Sequence, residues 1–358
     1  MSAPRALVAM SGGVDSSVAA ALMVEAGYEV VGVTLKQWEG SDGEMPTSGC
    51  CTVGDAEDAR RVAAQLDVPY YVLDYVDEFR TEVVDRFGAE YMAGRTPNPC
   101  IECNRRVRFK ALLERTTALG CDVLVTGHHA RITHDEAGYH LMRAVDRAKD
   151  QSYVLHMLGQ SELARVRLPV GEMTKPEVRE HAARLGLRTA DKPDSQDLCF
   201  VASGNYRTFL RDNFAEVAQP GPIVDESGDV VGHHEGTVDF TIGQRKGLGI
   251  AAQTPRYVVD IEPATATVVI GRKEDLLVSG CVVGDATFVA GAPPVGGVVA
   301  VKVRYRAKAV DAELIADGAG RWRVEFVDRQ PGVAPGQAAV FYRGDEMLGG
   351  GTILEPVR

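Results

Sequence analysis

Between residues 1 and about 190, short apolar runs alternate with stretches of helical spacing. Ala6 to Met10, Tyr28 to Leu35, Pro69 to Leu73 and Asp122 to Thr126 have the length and β-branched content of buried strands. Between them an Ala-rich segment ends at Gly27. The 55–66 stretch repeats Ala56, Ala59, Val62, Ala63 and Leu66, and 78–93 and 104–119 have the same period, so each predicts a helix. This alternation predicts an α/β fold, a parallel sheet covered by helices on both faces. Ligands in such folds gather at the carboxyl ends of strands, where Ser11 and Thr126-Gly127-His128 fall. The pattern changes after Cys199. Residues 217–236 are rich in Gly, Pro and acid, with little helical period. From Thr237 onward come short β-rich runs at 257–261, 267–270, 298–305, 323–327 and 338–342, separated by turn residues. They predict a small α+β or β central domain and then a C-terminal β-barrel. The expected division is 1–203, 204–277 and 278–358.

The first strand–helix junction carries Ser11-Gly12-Gly13-Val14-Asp15-Ser16-Ser17. Paired glycines let backbone N–H groups approach an anion, and the helix N-terminus behind them adds donors and a positive dipole end. Asp15, Ser16 and Ser17 supply capping oxygens and hydroxyls. A Walker loop needs a Lys after its last Gly, yet no Lys occurs before Leu35, and the dinucleotide fingerprint spaces its glycines differently. Ser-Gly-Gly-x-Asp-Ser resembles the PP-loop of N-type ATP pyrophosphatases. The alternative is an ordinary Gly-rich βα turn.

Composition changes this picture little. A chain of 358 residues holds two or three domains, and 45% hydrophobic with 25% charged residues is ordinary for a globular protein. No apolar run reaches the ~20 residues of a membrane helix. Met1 leads almost directly into the first strand without room for a signal peptide, so a cytoplasmic location and no membrane partner are expected. The net charge of −11 argues mildly against a broad nucleic-acid surface and leaves room for a local basic groove. Lys302, Arg304, Arg306 and Lys308 alternate with Val301, Val303, Tyr305 and Ala307. On a strand all four cations would share one face, either to track a phosphate backbone or as a solvated surface.

Seven cysteines (Cys50, Cys51, Cys100, Cys103, Cys121, Cys199, Cys281) form an odd set, read as reactive or metal-binding rather than as a disulfide framework. Cys100-Ile101-Glu102-Cys103 follows Thr96-Pro97-Asn98-Pro99 and precedes a helix opening with Asn104-Arg105-Arg106. A thiol near a helix N-terminus beside arginines is favoured as thiolate, hence as nucleophile. Half of a zinc site completed by Cys50-Cys51, or inert structural thiols, are the rivals, and adjacent cysteines chelate poorly. Cys199 lies in Asp194-Ser195-Gln196-Asp197-Leu198-Cys199-Phe200, either a buried small residue or a loop thiol able to reach another. His128 and His129 follow a buried strand and read equally well as satisfied core-edge histidines.

These motifs, with Lys149-Asp150-Gln151-Ser152-Tyr153, Gly243-Gln244-Arg245, Arg304-Tyr305-Arg306 and Pro335-Gly336-Gln337, occur in an order that resembles the MnmA-type tRNA-specific 2-thiouridylase family nearly end to end. The resemblance implies thiolation at C2 of the wobble uridine of tRNA, with ATP and Mg2+ activating the C2 oxygen by adenylation. It implies that Cys199 carries a persulfide delivered by a sulfur donor (a cysteine desulfurase or relay protein). Cys103 would be the second catalytic thiol, left in a Cys103–Cys199 disulfide. By the same resemblance Ala9, Met10, Ser11, Gly12, Gly13, Val14, Asp15, Ser16, Leu35 and Gly127 surround ATP. Asn98, Pro99 and Cys100 approach the target base, and His128, Lys149, Asp150, Gln151, Arg304, Tyr305 and Gln337 contact tRNA. Some members carry Asp at the position of Cys100, and a thiol does not replace a carboxylate as proton acceptor or Mg2+ ligand. Cys100 also admits a [4Fe-4S] site with Cys103 and Cys199, ranked below the persulfide route, and no other metal site is assigned. An amide-forming ligase of the same ATP class and a zinc-stabilised RNA-binding module are the competing readings.

Overall fold

The computed structural model describes residues 3–39, 52–194, 198–201 and 205–358. Cys50, Cys51, Ser195, Gln196 and Asp197 therefore lie outside the described residues. Strands β1 (Arg5–Ala9), β2 (Glu29–Lys36), β3 (Tyr70–Asp74), β4 (Val123–Thr126) and, beyond a hairpin of β5 (Ala130–Asp135) and β6 (Gly138–Arg143), β7 (Val166–Arg167) build the first sheet. All its pairings are parallel, in the order β3-β2-β1-β4-β7. The side-chain period of two explains the unbroken apolar runs. Ala6 and Val8 of β1 enter one core with Val18, Val30, Val123 and Val125, while Leu7 between them enters the other with Val33, Phe79, Leu112 and Leu124. Helix α1 (Val14–Glu25) is buried on most sides, which its alanines permit. With α2 (Val53–Gln65), α3 (76–92), α4 (99–118) and α5 (Lys175–Arg184) it covers the sheet. The chain leaves β1 towards β2 and β3, then returns to place β4 on the other side. The reversal opens a crevice at the carboxyl ends of β1 and β4, the ligand position of open α/β sheets.

Helix α4 starts earlier than its apolar period indicates. Asn98 caps it, its Oδ1 accepting from the Cys100 N–H at 3.1 Å, and Pro99 occupies the first helical position. Both cysteines of the pair thus lie on the helix rather than in the loop before it. The turns widen to π type over Cys103–Ala111.

Beyond α6 (Tyr206–Asn213), the stretch lacking helical period holds β8 (Gly221–Val224) and β9 (Val230–His234). With β10 (Tyr257–Glu262) and β11 (Thr267–Gly271) they form a sheet in the order β10-β11-β8-β9, around Ile223, Phe240, Val258, Val268 and Ile270. Six antiparallel strands follow: β12 (Leu277–Phe288), β13 (Val299–Lys302), β14 (Val310–Ala316), β15 (Trp322–Pro331), β16 (Ala338–Arg343) and β17 (Glu346–Val357). They run in the order β12-β15-β14-β13-β16-β17 and close through β12–β17 pairing, so this part is a barrel. The β5–β6 hairpin joins it, Leu141 and Met142 pairing with Met347 and Glu346. One expected strand is shorter than its alternation indicates: β13 ends at Lys302, and residues 303–309 turn towards β14. Lys302, Arg304, Arg306 and Lys308 therefore do not share a strand face. The Arg304 guanidinium instead donates to Ile242 O at 2.8 Å, tying the barrel to a loop of the central domain. Among the described residues no helix is long and apolar enough to cross a membrane.

Candidate functional site

A cavity of roughly 1100 Å³ opens at the β1–β4 crevice. Its floor is the loop from Ser11 to Ser16. Gly12 has φ +74°, and a Cβ there would lie 2.2 Å from Asp55 O at the start of α2, so the loop lies directly on that helix. Gly127 is equally constrained, since its Cβ would lie 2.7 Å from Ser16 N. Gly13 takes the N-cap position of α1 without a side-chain cap. The serine hydroxyls turn inward: Ser16 and Ser17 Oγ donate to Gly13 O at 3.1 and 2.8 Å, and Ser16 Oγ accepts from Ser11 N at 3.1 Å. The expectation that these side chains cap α1 is corrected; its first N–H groups remain directed outward as an anion would use them.

The cation missing from the loop comes from 160 residues away. Lys175 Nζ lies 2.7 and 2.8 Å from the two Asp15 carboxylate oxygens and 2.8 Å from Asp194 Oδ1. Lys149 and Arg179 reach the same Asp194 at 2.8 and 3.0 Å, and His129 Nε2 lies 3.1 Å from Asp15 Oδ1. Burial opposes ionisation of Asp194, but the Lys149 and Lys175 hydrogen bonds outweigh it and hold the carboxyl at about 2. Burial is outweighed in the same way at Asp15, by His129 and Lys175, and its carboxyl is held below the usual range. Lys192 bridges Asp55 and Asp58, both at 2.7 Å. Eight Lys and Arg side chains line the cavity against four Asp, a surplus of four positive charges in a chain of net charge −11. The cavity is built for a polyanion.

Both proposed catalytic thiols line this cavity. Cys103 is buried and accepts a hydrogen bond from the Gln37 amide at 3.4 Å, while Cys199 is half-buried. Phe200 fixes the latter's backbone by entering an aromatic cluster, its ring centroid 5.1 Å from Phe209, 5.5 Å from Phe87 and 5.8 Å from Phe79. Cys100 is exposed at the cavity rim beside Asn98 and Pro99. Among the described residues no three His, Cys, Asp or Glu side chains are arranged to hold a metal ion, the trio Cys100, Cys103 and Cys199 included.

Of the other residues singled out from sequence, Ala9, Met10, Ser11, Gly13, Val14, Asp15, Ser16, Leu35, Gly127, His128, Lys149, Asp150, Gln151 and Tyr305 line the cavity. His128 is buried, with Nδ1 2.8 Å from Thr126 Oγ1; desolvation, then Arg108, drives its pKa to about 3, so it is neutral. Asp150 Oδ1 accepts from Ala144 N and Ser152 N, both at 3.2 Å, and Gln151 Oε1 accepts from His129 N at 2.9 Å. Gly12, Arg304 and Gln337 lie off the cavity wall. Gln337 Nε2 donates to Thr96 O at 2.6 Å, bracing the loop that leads to Cys100. Sequence reasoning missed Gln37, Lys175, Lys192 and Asp55, and named His129 only beside His128 after the buried strand. None sits in a motif, and only their spatial convergence marks them.

Three domain models match in succession: one described as tRNA methyl transferase HUP domain over residues 4–203, one as tRNA methyl transferase PRC-barrel domain over 207–272, and one as Aminomethyltransferase beta-barrel domain over 278–353. The chain is 51% identical over 352 residues to the tRNA-specific 2-thiouridylase MnmA of Chloroflexus aurantiacus, covering 98% of each. It is 48% identical over 354 residues to that of Geobacter metallireducens, covering 98% of this chain and 96% of the other. A solved 4-thiouridine synthetase–RNA complex with bound ATP overlaps 60% of this chain and 51% of its own at 19% identity, with a TM-score of 0.39. That last likeness is too low to carry an argument. At about half identity over nearly the full length of both partners, the chain belongs to the tRNA-specific 2-thiouridylase family.

Proposed function

We propose that this chain is an ATP-dependent tRNA sulfurtransferase that replaces the C2 oxygen of the wobble uridine by sulfur. The observation that carries the reading is one cavity holding an anion-binding loop, a cationic surplus and two thiols. A nucleotide seated with its phosphates on Ser11–Ser16 and its remainder along Ala9, Leu35 and Gly127 leaves its α-phosphorus facing the thiols. The target uridine, swung out of the anticodon stack, enters past Asn98, Pro99 and Cys100. The groups facing tRNA are then His128, Lys149, Tyr305 and Arg306, with Arg304, Gln337, Asp150 and Gln151 shaping that surface from behind. We infer that residues 1–203 perform the chemistry and that 204–277 and 278–358 hold the tRNA.

The C2 oxygen attacks the α-phosphorus, the bond to the β-phosphate oxygen breaks, pyrophosphate leaves, and the N3 proton passes to water. The terminal sulfur of a Cys199 persulfide then attacks C2 and expels AMP, leaving Cys199 joined to the base through two sulfurs. The Cys103 thiolate attacks Cys199 Sγ, forming the Cys103–Cys199 disulfide and releasing the sulfur on the base, which regains its N3 proton. An external thiol reduces the disulfide, and a persulfide donor reloads Cys199. Mg2+ usually binds one or two carboxylates plus substrate phosphates, and Asp15 is the loop carboxylate such an ion would meet. When bound it would neutralise phosphate charge.

Incubation of the full chain with tRNA, ATP and a persulfide source, followed by mass spectrometry of the nucleosides, tests the reading. The expected products are 2-thiouridine, AMP and pyrophosphate. Cys199→Ser and Cys103→Ser should each abolish 2-thiouridine while leaving ATP and tRNA affinity within about threefold. Thiouridine formed by Cys199→Ser would eliminate the persulfide role.

A further inference from the structure

A disulfide made at a buried sulfur has to be opened again from outside. Cys103 has only 7% of its surface exposed and ends the first turn of α4. Cys100 stands one turn earlier, exposed at the cavity rim, and half-buried Cys199 lines the same cavity. The turn between Cys100 and Cys103 is tight. The Cys103 N–H is shared between Pro99 O and Cys100 O, which gives the turn part 3₁₀ character. Side chains three apart eclipse in such a turn, so the Cys100 and Cys103 side chains leave the helix on one line. Cβ atoms three apart on a helix lie about 5–6 Å from each other and a disulfide spans about 3.5–4.5 Å, so a small closure of this terminal turn joins them. Asn98 and Pro99 hold the start of the turn, with Asn98 Oδ1 accepting from the Cys100 N–H at 3.1 Å.

We propose that Cys100 is a third catalytic thiol, which takes the disulfide over from Cys199 after each sulfur transfer and carries it to the rim. The inference rests on the sulfur-transfer reading above, which ends with a Cys103–Cys199 disulfide, and adds the route by which that bond is opened. The Cys100 sulfur, as thiolate, attacks Cys103 Sγ. The Cys103–Cys199 bond breaks, its electron pair leaves on Cys199 Sγ, and Cys199 takes up a proton in place of the one Cys100 gave to solvent. A Cys100–Cys103 bond replaces the first disulfide with no net oxidation or reduction. An external dithiol then attacks the exposed Cys100 Sγ and expels the Cys103 thiolate. Its second sulfur displaces Cys100, and the dithiol leaves oxidised to its own disulfide. Reduction thus takes place at the rim, while Cys199 is returned as a thiol that a persulfide donor can load.

The test starts from the full chain preloaded with persulfide on Cys199 and mixed with tRNA and ATP in the absence of reductant. Alkylation at intervals and peptide mass spectrometry then follow the disulfides. Cys103–Cys199 should appear first and decay into Cys100–Cys103, which should exceed it about tenfold at the end. In Cys100→Ser the Cys103–Cys199 bond should persist. With a persulfide donor and limiting dithiol, later rounds of Cys100→Ser should be about tenfold slower relative to its own first round than those of the wild type. That ratio cancels any effect of position 100 on entry of the base. A wild-type chain that stays at Cys103–Cys199, or Cys100→Ser with later rounds as fast relative to its first as the wild type, would overturn the relay. Cys199→Ser in a glutathione redox buffer should form Cys100–Cys103 without tRNA, and failure to form it there would also overturn the relay. Wild-type protein that forms this bond in the same buffer, yet makes no 2-thiouridine from tRNA, ATP and a persulfide source, would refute the sulfur-transfer reading instead.

Discussion

A methyl group at position 12 would strike the backbone of the next helix, and the local φ of +74° suits glycine alone. Gly12→Ala should therefore lower stability by about 1–3 kcal/mol and weaken ATP binding at least tenfold, read by thermal denaturation and nucleotide titration. Glycine at 13 has another use: it leaves α1 without a side-chain cap, keeping N–H groups for the ligand. Gln37 bears on the proposed sulfur transfer. Its amide donates to the Cys103 sulfur, and Gln37→Leu removes a bond worth about 1 kcal/mol. Single-turnover sulfur release from a preloaded persulfide should slow about fivefold, with ATP affinity unchanged; an unaltered rate would show that Cys103 needs no such aim. The phosphate loop was readable because its residues are contiguous, and Gln37 was not because nothing local connects positions 37 and 103.

At the scale of elements, the motifs that resembled tRNA contacts also serve as joints. Tyr153 OH donates to Ala338 O at 2.9 Å, Ser152 Oγ lies 3.2 Å from Tyr342 OH, and Thr96 N donates to Pro335 O at 2.8 Å. They fasten the barrel to the domain that carries the cysteines. Gln337→Ala should cost about 1 kcal/mol and reduce the thiolation rate more than the ATP affinity, because it removes one of the two bonds that hold Thr96, at the start of the loop to Cys100, on the barrel. Phe200→Ala should cost about 3–5 kcal/mol by emptying the aromatic cluster, and should slow the reaction of Cys199 with tRNA-bound substrate. Strand β13 shows why element boundaries escaped the pattern. Lys302 to Lys308 alternates as a strand does, but β13 ends at Lys302 and Arg304 bonds the Ile242 carbonyl in a loop of the central domain. The β5–β6 hairpin is half exposed, and its pairing with β17 lies some 200 residues downstream, beyond any local signal.

For the whole molecule, charge is segregated: an acidic exterior surrounds a cavity with four surplus cations. The same burial governs stability against pH. His128 and His156 are held neutral, chiefly by desolvation, with pKa values near 3 in the fold against about 6.5 unfolded. The unfolded chain binds their protons first, so stability is complete above about pH 6.5. It falls as pH drops, by up to about 1.4 kcal/mol per pH unit for each histidine. Asp15 and Asp194 add to the loss below about pH 4, since their depressed values stabilise the fold only while they are ionised. Melting temperature should decline steadily from pH 7 to pH 4, and His156→Leu should flatten the upper part of that slope. A profile level between pH 7 and pH 5 would contradict the burial argument.

Hydrophobic period alone determined the parallel sheet, the change to β structure after Cys199 and the place of the phosphate loop, because each depends on neighbours within a dozen residues. The glycines of the loop pointed to a phosphate, and the resemblance to a family chose among the readings that the cysteine spacing left open. Only the tertiary structure decided that Lys175 lies against Asp15 of the loop, that Cys103 and Cys199 line one cavity, and that Arg304 joins the barrel to the central domain instead of extending a cationic strand face. Those contacts span from about sixty to about two hundred residues. They are set by where packed elements come to rest, which no local pattern of polar and apolar positions encodes.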